Sequence, residues 1–195
     1  MYLEEVESWQ HGEAVELFNE MGIELGDHAI DFGCGQGRYT LPLALAVGNT
    51  GLVHAVDVSE SQLLRVQNLA VHEGLRNITP EHATGDNTLT FAADSSIDAI
   101  LIYDLIHQLG RGRATFVAEA HRVLKTGGIL SVLPFHLSEH EKQHLVHEIE
   151  STGFELAHIQ RNQGLHFEMH EWKNGTRGSL AQVERGTIYN FSHLA

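Results

Sequence analysis

The sequence predicts an α/β protein: a three-layer arrangement in which a mainly parallel sheet is covered by helices on both faces. Three observations carry this reading. Short apolar runs alternate with segments of helical periodicity at least four times. The segments between the runs are long enough for the crossovers that parallel pairing demands. One run, Ala99-Ile100-Leu101-Ile102, is apolar at every position, as a strand buried on both faces must be.

Each element has its own local reason. Ala14, Leu17, Phe18 and Met21 recur at helical spacing, and Gly22 stops them, which predicts a short N-terminal helix. Ala29 to Phe32 is a brief strand running into the loop Gly33-Cys34-Gly35-Gln36-Gly37, after which Tyr39 to Val47 is helical. Leu52 to Val56 is a second strand, closed by Asp57. Ser59 and Gln62 have capping-box spacing at the start of a helix that buries Leu63, Val66 and Ala70. Ile78 to Thr84 and Asp98 to Tyr103 follow as strands. Arg113 to Leu124 is a helix ended by Lys125-Thr126-Gly127-Gly128, and Ile129 to Leu133 is a strand. Ser138 and Glu141 form a second capping box for a helix reaching Ser151. Phe154 to Ile159, Gln163 to Trp172 and Gly186 to Phe191 are further strands, with a turn at Lys173 to Thr176.

A length of 195 residues suits a single domain, read as an N-terminal cap over 1–25, a binding core over 26–135 and a C-terminal part of the sheet over 136–195. With 26 acidic residues against 12 Lys and Arg, the formal charge is -14, which repels nucleic acid and anionic membranes. One cysteine cannot make an intrachain disulfide, and the acidic start with Glu4, Glu5 and Glu7 is unlike a secretory leader. No segment approaches the roughly 18 apolar residues of a membrane span. A cytoplasmic protein is expected.

The glycine loop sits between strand and helix, where an open α/β sheet binds ligands. Glycine allows a tight turn and close ligand approach, the helix start offers free N–H groups, and Asp57 can accept two ribose hydroxyl protons. The dinucleotide fingerprint G-x-G-x-x-G would need glycine at position 38, which is Arg38. The observed pattern is Asp31-x-Gly33-x-Gly35-x-Gly37. It resembles the first motif of class I S-adenosylmethionine-dependent methyltransferases. His54-Ala55-Val56-Asp57, Thr84-Gly85-Asp86-Asn87, Ile97 to His107 and Val123-Leu124-Lys125-Thr126-Gly127-Gly128 are similar, in order, to that superfamily's later motifs, although Thr126 stands where proline is usual.

The resemblance spans roughly residues 25 to 135 and implies a Rossmann-like, seven-stranded sheet of order 3-2-1-4-5-7-6 with the last strand antiparallel. It further implies S-adenosylmethionine as cofactor. Asp31, Gly33, Cys34, Gly35 and Gly37 would hold its methionine part, Asp57 the ribose, Val58 the adenine face, and Asp86 and Asn87 the adenine edge. Tyr103 would lie near the sulfonium. The activity implied is in-line methyl transfer to a small molecule or a protein side chain, the small molecule being favoured. The alternative is a non-catalytic protein that senses the cofactor or its demethylated product, or serves as a partner subunit; a nucleotide-dependent oxidoreductase ranks third.

Acceptor classes narrow by what is missing. Methylation at C5 of a pyrimidine needs a cysteine nucleophile, and Cys34 already lies in the cofactor loop. Base amino methyltransferases carry an Asn/Asp-Pro-Pro-aromatic motif, but the prolines are Pro42, Pro80 and Pro134. Arsenite methylation needs several thiols. Alignment and desolvation can supply most of the rate of a sulfonium displacement, so no base is required; His107 and His136, after the fourth and fifth strands, are the candidates for one. The N-terminal 25 residues, with Trp9 and His11, are the expected lid, and a second copy of the chain is a candidate partner.

The 15 histidines otherwise read as a pH-dependent charge reservoir: protonating all of them takes the formal charge from -14 to +1. His140-Glu141-Lys142-Gln143-His144 matches H-E-x-x-H by letter, but Glu141 is the natural capping partner of Ser138 and the helix buries Leu145, Val146 and Ile149, leaving His140, His144 and His147 on a wet face. His166, Glu168 and His170 alternate on one strand face and could meet His136 around a metal; the expected reading is a polar face, with no resident metal.

Overall fold

The computed structural model describes residues 2–169 and 180–194. Among them, β1 (His28–Phe32), β2 (Leu52–Asp57), β3 (Ile78–His82), β4 (Ile97–Tyr103), β5 (Leu124–Leu133), β6 (Phe154–Met169) and β7 (Leu180–His193) form one sheet. Its order is β3-β2-β1-β4-β5-β7-β6, with β1 to β5 parallel and β7 antiparallel to both neighbours. The expected α/β class, strand order and antiparallel seventh strand are all present.

Side-chain alternation divides the core. Ile30, Phe32, Ile100 and Ile102 face α5 (Arg113–Val123) and α6 (Glu139–Glu150), where Phe116, Val117, Leu145 and Ile149 are buried. Ala29, Val53, Ala99 and Leu101 face the other way, toward α2 (Glu13–Met21) and α3 (Thr40–Val47). Here Phe18, Leu43 and Val47 are fully buried. Burying Phe18 alone contributes roughly 2 kcal/mol. α4 (Glu60–His72) covers Ala55 with Leu63 and Val66.

Several local expectations need correction. The N-terminus holds two helices: α1 (Tyr2–His11) precedes α2, separated by Gly12. Its three early glutamates break the apolar periodicity that identified α2, so tertiary packing of Trp9 carries it instead. The Ser59–Gln62 capping box does not form. Asp57 Oδ1 takes the Ser59 N–H at 2.8 Å and the Ser59 hydroxyl turns to Ser61, which leaves Gln62 for another surface. Lys125 to Gly128 is not a helix-ending loop. β5 begins at Leu124, opposite Ile97, and these four residues bulge before the next pair, Ala99 with Ile129; Gly127 supplies the required positive φ of 80° and Lys125 Nζ pairs with Asp98 at 2.7 Å.

The strands expected at Phe154 to Ile159 and from Gln163 onward are one, β6, with a register shift between Gln160 and Gly164. Gly164 lies opposite Gly186. A Cβ on Gly186 would stand 2.7 Å from Leu133 Cδ1, so the long β6–β7 ribbon can cross the end of β5 only where both strands lack side chains. The Ser138–Glu141 box forms as expected, with Ser138 N–H donating to Glu141 Oε2 at 2.8 Å. The turn at Lys173 to Thr176 and His170 lie outside the described residues.

Candidate functional site

The site lies at the carboxyl ends of β1 and β4, where the chain leaves the sheet in opposite directions. Gly33 and Cys34 donate their N–H groups to the Val56 carbonyl, at 2.8 and 2.9 Å, which folds the loop back over β2. Gly33, Gly35 and Gly37 all have positive φ. Their surroundings differ. A Cβ on Gly33 would strike Leu105, one on Gly37 would press on Val66 and Leu69 of α4 at 3.2 Å, and one on Gly35 would meet nothing within 4 Å. Gly37 therefore lets α4 close on the loop, and Gly35 keeps open space beside it.

That space is a cleft of about 210 Å³ walled by Asp31, Gly33, Cys34, Gly35, Tyr103 and Asp104, with Gln36, Arg38, Tyr39 and Gln62 completing it. Asp31 alternates onto the α3 side of β1 and is 3% exposed, with Oδ2 accepting the Thr40 hydroxyl at 2.6 Å. Burial raises its pKa to about 6; the Thr40 bond opposes this and the Asp57 charge adds to it. Arg38 also lines the cleft, and burial draws its pKa down. The cleft thus presents one carboxyl and one cation. Gln62 Oε1 is buried with no hydrogen-bond partner, an acceptor waiting for a donor.

Of the residues singled out from sequence, Asp31, Gly33, Cys34, Gly35 and Tyr103 are brought together here. Tyr103 is buried, its hydroxyl 2.7 Å from Ser131 Oγ, and burial holds the phenol protonated well beyond the ordinary tyrosine range. Burial also pushes the Cys34 thiol up, which disqualifies it as a nucleophile. Asp57 stands behind the loop: its Oδ2 accepts the Gly35 N–H at 2.9 Å while Oδ1 holds Ser59. Val58 follows it, an apolar side chain 64% exposed. Asp86 is exposed and accepts both the N–H and hydroxyl of Thr88, which lowers its pKa, and Asn87 has a φ of 62°. Asp57, Val58, Asp86 and Asn87 lie outside the cleft wall. Sequence reasoning missed Gln36, Arg38, Tyr39, Gln62 and Asp104. Arg38 and Gln62 carried a signal, since Arg38 directly follows Gly37 and Gln62 follows Asp57 by five residues.

Two further features frame the cleft. α1 is pinned to its wall: Gln10 Nε2 donates to the Arg38 carbonyl at 2.8 Å, and Trp9 packs on Tyr39. At the opposite rim, His136 Nε2 is 3.2 Å from Asp104 Oδ1, and the His107 and His136 rings are 4.6 Å apart. His140 and His144 do stand together on the wet face of α6, Nε2 to Nε2 3.2 Å, while Glu141 is engaged by Ser138. No helix among the described residues is long and apolar enough to cross a membrane.

A family model described as a methyltransferase domain matches residues 29–128. Among curated proteins, the demethylmenaquinone methyltransferase of Geobacillus stearothermophilus is 32% identical over 114 residues, 58% of this chain and 47% of that protein. The 23S rRNA (uracil(1939)-C(5))-methyltransferase RlmD of Acinetobacter baylyi is 37% identical over 84 residues, 41% of this chain and 18% of that protein. The chain thus spans less than half the length of these curated relatives. Among solved structures, a SAM dependent methyltransferase from Aquifex aeolicus superposes with a TM-score of 0.72 at 18% identity, covering 96% of this chain and 93% of that one, which shows the shared fold.

Proposed function

Because the chain belongs to the methyltransferase-domain family, we propose that it binds S-adenosylmethionine, the cofactor this membership implies, and transfers its methyl group to a small-molecule acceptor. The observation that carries the reading is the cleft in which Asp31 and Arg38 face one ligand space beside the open Gly35. A zwitterionic amino-acid end needs that pair: Asp31 for the ammonium, Arg38 for the carboxylate. Gly35 lets the ligand approach the backbone, and Gln62 offers its unpartnered Oε1. In the same proposal Gly33, Cys34 and Gly37 shape the loop, Asp57 takes the ribose, exposed Val58 the adenine face, and Asp86 and Asn87 its edge.

When bound, the cofactor supplies an electrophilic methyl carbon with a neutral thioether as leaving group. The protein's part is to align and to exclude water. Buried Tyr103 lines the cleft with its hydroxyl held by Ser131, and it stays protonated, so it shapes the space without competing as a nucleophile. Trp9 and Gln10 hold α1 against Arg38 and Tyr39, which supports reading the segment 1–25 as a cap on the core 26–135. His107 and His136 face the acceptor side.

A small acceptor is supported by the buried, unreactive Cys34, which leaves no thiol for pyrimidine C5 chemistry among the described residues, and by the charge of -14, which opposes a polyanionic substrate. The demethylmenaquinone relative, by its name, also acts on a small molecule. The lone cysteine suits a cytoplasmic location. Calorimetry with S-adenosylmethionine tests cofactor binding; one equivalent is expected, with at least about tenfold weaker binding for Asp31→Ala or Arg38→Ala. Transfer of labelled methyl to an acceptor panel then tests turnover. Failure to bind the cofactor overturns the proposal, and binding without turnover over a broad panel leaves a sensor or partner subunit, alone or as a homodimer.

A further inference from the structure

Beside the methyl-transfer cleft, β4 and β5 end side by side. Tyr103 pairs with Leu133, and the Asp104 N–H donates to the Leu133 carbonyl at 2.9 Å, so the residues just beyond each strand are forced together. Asp104 takes a φ of 56°, a left-handed conformation that an L-residue adopts at a cost of about 1 kcal/mol. The turn this creates leads into the short helical segment Ile106–Gln108, which brings His107 back over Asp104. His136, three residues past the end of β5, closes the group. One ligand atom from each of Asp104, His107 and His136 lies within 4.8 Å of the other two.

We propose that Asp104, His107 and His136 bind one divalent transition-metal ion, whose remaining coordination positions face the cleft and take an oxygen atom of the methyl acceptor. Two imidazoles and one carboxylate are a ligand set for zinc or ferrous iron, with positions left for water or substrate. Ligand atoms about 2.1 Å from a tetrahedral ion stand roughly 3.4 Å from one another. Side-chain rotations can bring the ligand atoms to this spacing, and the His136 side chain is 43% exposed. Asp104 belongs both to this cluster and to the cleft wall, which places the ion beside the reacting space. This proposal departs from the expectation of no resident metal, and its location differs from the H-E-x-x-H letters: His140 and His144 supply two nitrogens on an exposed helix face, with no third ligand among the described residues.

The ion site stands on these three residues alone, and its role toward the acceptor rests on the methyl-transfer reading. The test uses the full chain, without a His tag and stripped by chelator, titrated with Co²⁺ and followed by its visible ligand-field bands, then with Zn²⁺ by calorimetry. One equivalent with a low-coordinate nitrogen/oxygen spectrum is expected. Asp104→Asn, His107→Ala and His136→Ala should each weaken binding at least about tenfold, and the double variant His140→Ala/His144→Ala should not. Absence of a bound equivalent in the wild-type chain, or its loss in the α6 double variant alone, overturns the proposal, whatever the other variants do. Cofactor calorimetry on the metal-free chain separates the two readings: cofactor binding without a metal site removes only this inference, and a metal site without cofactor binding removes only the methyl-transfer reading.

Discussion

Trp9 stands edge-on to Tyr39, with ring centroids 5.3 Å apart and planes at 90°. Tyr39 in turn meets Tyr103 edge-on at 4.6 Å. A helix that precedes the sheet in sequence is thus stacked, through one ring, on the floor of the cleft. Trp9→Ala should lose about 3 kcal/mol of stability by cavity formation and weaken cofactor binding, whereas Trp9→Phe should retain most of both. Urea unfolding and calorimetry read the two effects; a Trp9→Ala chain with unchanged cofactor affinity would show that α1 is not a functional cap.

The three loop glycines should fail differently. Gly35→Ala carries only the strain of its positive φ, about 1 kcal/mol, because its Cβ meets nothing, yet it projects into the ligand space. Gly33→Ala collides with Leu105 as well. Thermal melts should therefore rank Gly33→Ala well below Gly35→Ala, while both lose cofactor binding. Trimming Leu105 to Ala should recover part of the stability of Gly33→Ala and none of that of Gly35→Ala.

Asp31 gives the protein a pH signature. Its folded pKa, about 6, lies above the unfolded value near 3.8, so between these values the folded state binds more protons and stability falls as pH rises. The full shift corresponds to roughly 3 kcal/mol. Asp31→Asn should flatten denaturation midpoints between about pH 4 and pH 6. A cationic ammonium beside the carboxylate favours its ionised form, so cofactor binding near pH 6 should release a proton in the wild type. Calorimetry in buffers of different ionisation heat should find no such release in the Asn variant.

A buried polar chain crosses the sheet. The Tyr103 hydroxyl lies 2.7 Å from Ser131 Oγ, which donates to Asn190 Oδ1 at 2.6 Å, and Asn190 Nδ2 donates to Gln160 Oε1 at 2.9 Å. Ser131→Ala removes the central link between two buried partners and should cost about 1–3 kcal/mol. Ser59→Ala, at a half-buried residue whose hydroxyl turns to Ser61 and caps no helix N–H, should cost less than about 0.5 kcal/mol in the same denaturation series.

Periodicity and glycine placement were enough to read the α/β class and the loop after β1, and the motif resemblance pointed to Asp31 and Tyr103, which line one cleft. These features are local: alternation decides which face of a strand is buried, and a positive φ decides where glycine is needed. The Ser138–Glu141 box was legible for the same reason, being complete within four residues. Where a competing partner or distant packing intervened, the motif reading failed. Asp57 took the Ser59 N–H and dissolved the Ser59–Gln62 box, and the packing of Trp9 on Tyr39 formed a helix that acidic residues had hidden.

The sequence by itself determined the fold class, the order of elements and the glycine loop that borders the cleft. Only the tertiary structure decided that Arg38 and Gln62 share a wall with Asp31, that Gly37 serves helix packing, and that Asp104, His107 and His136 converge. The physical reason is parallel pairing. It brings the ends of β4 and β5 together across a helical crossover of many residues, so side chains 29 and 32 positions apart in the sequence meet within hydrogen-bond reach or close to it, a proximity that no local spacing encodes.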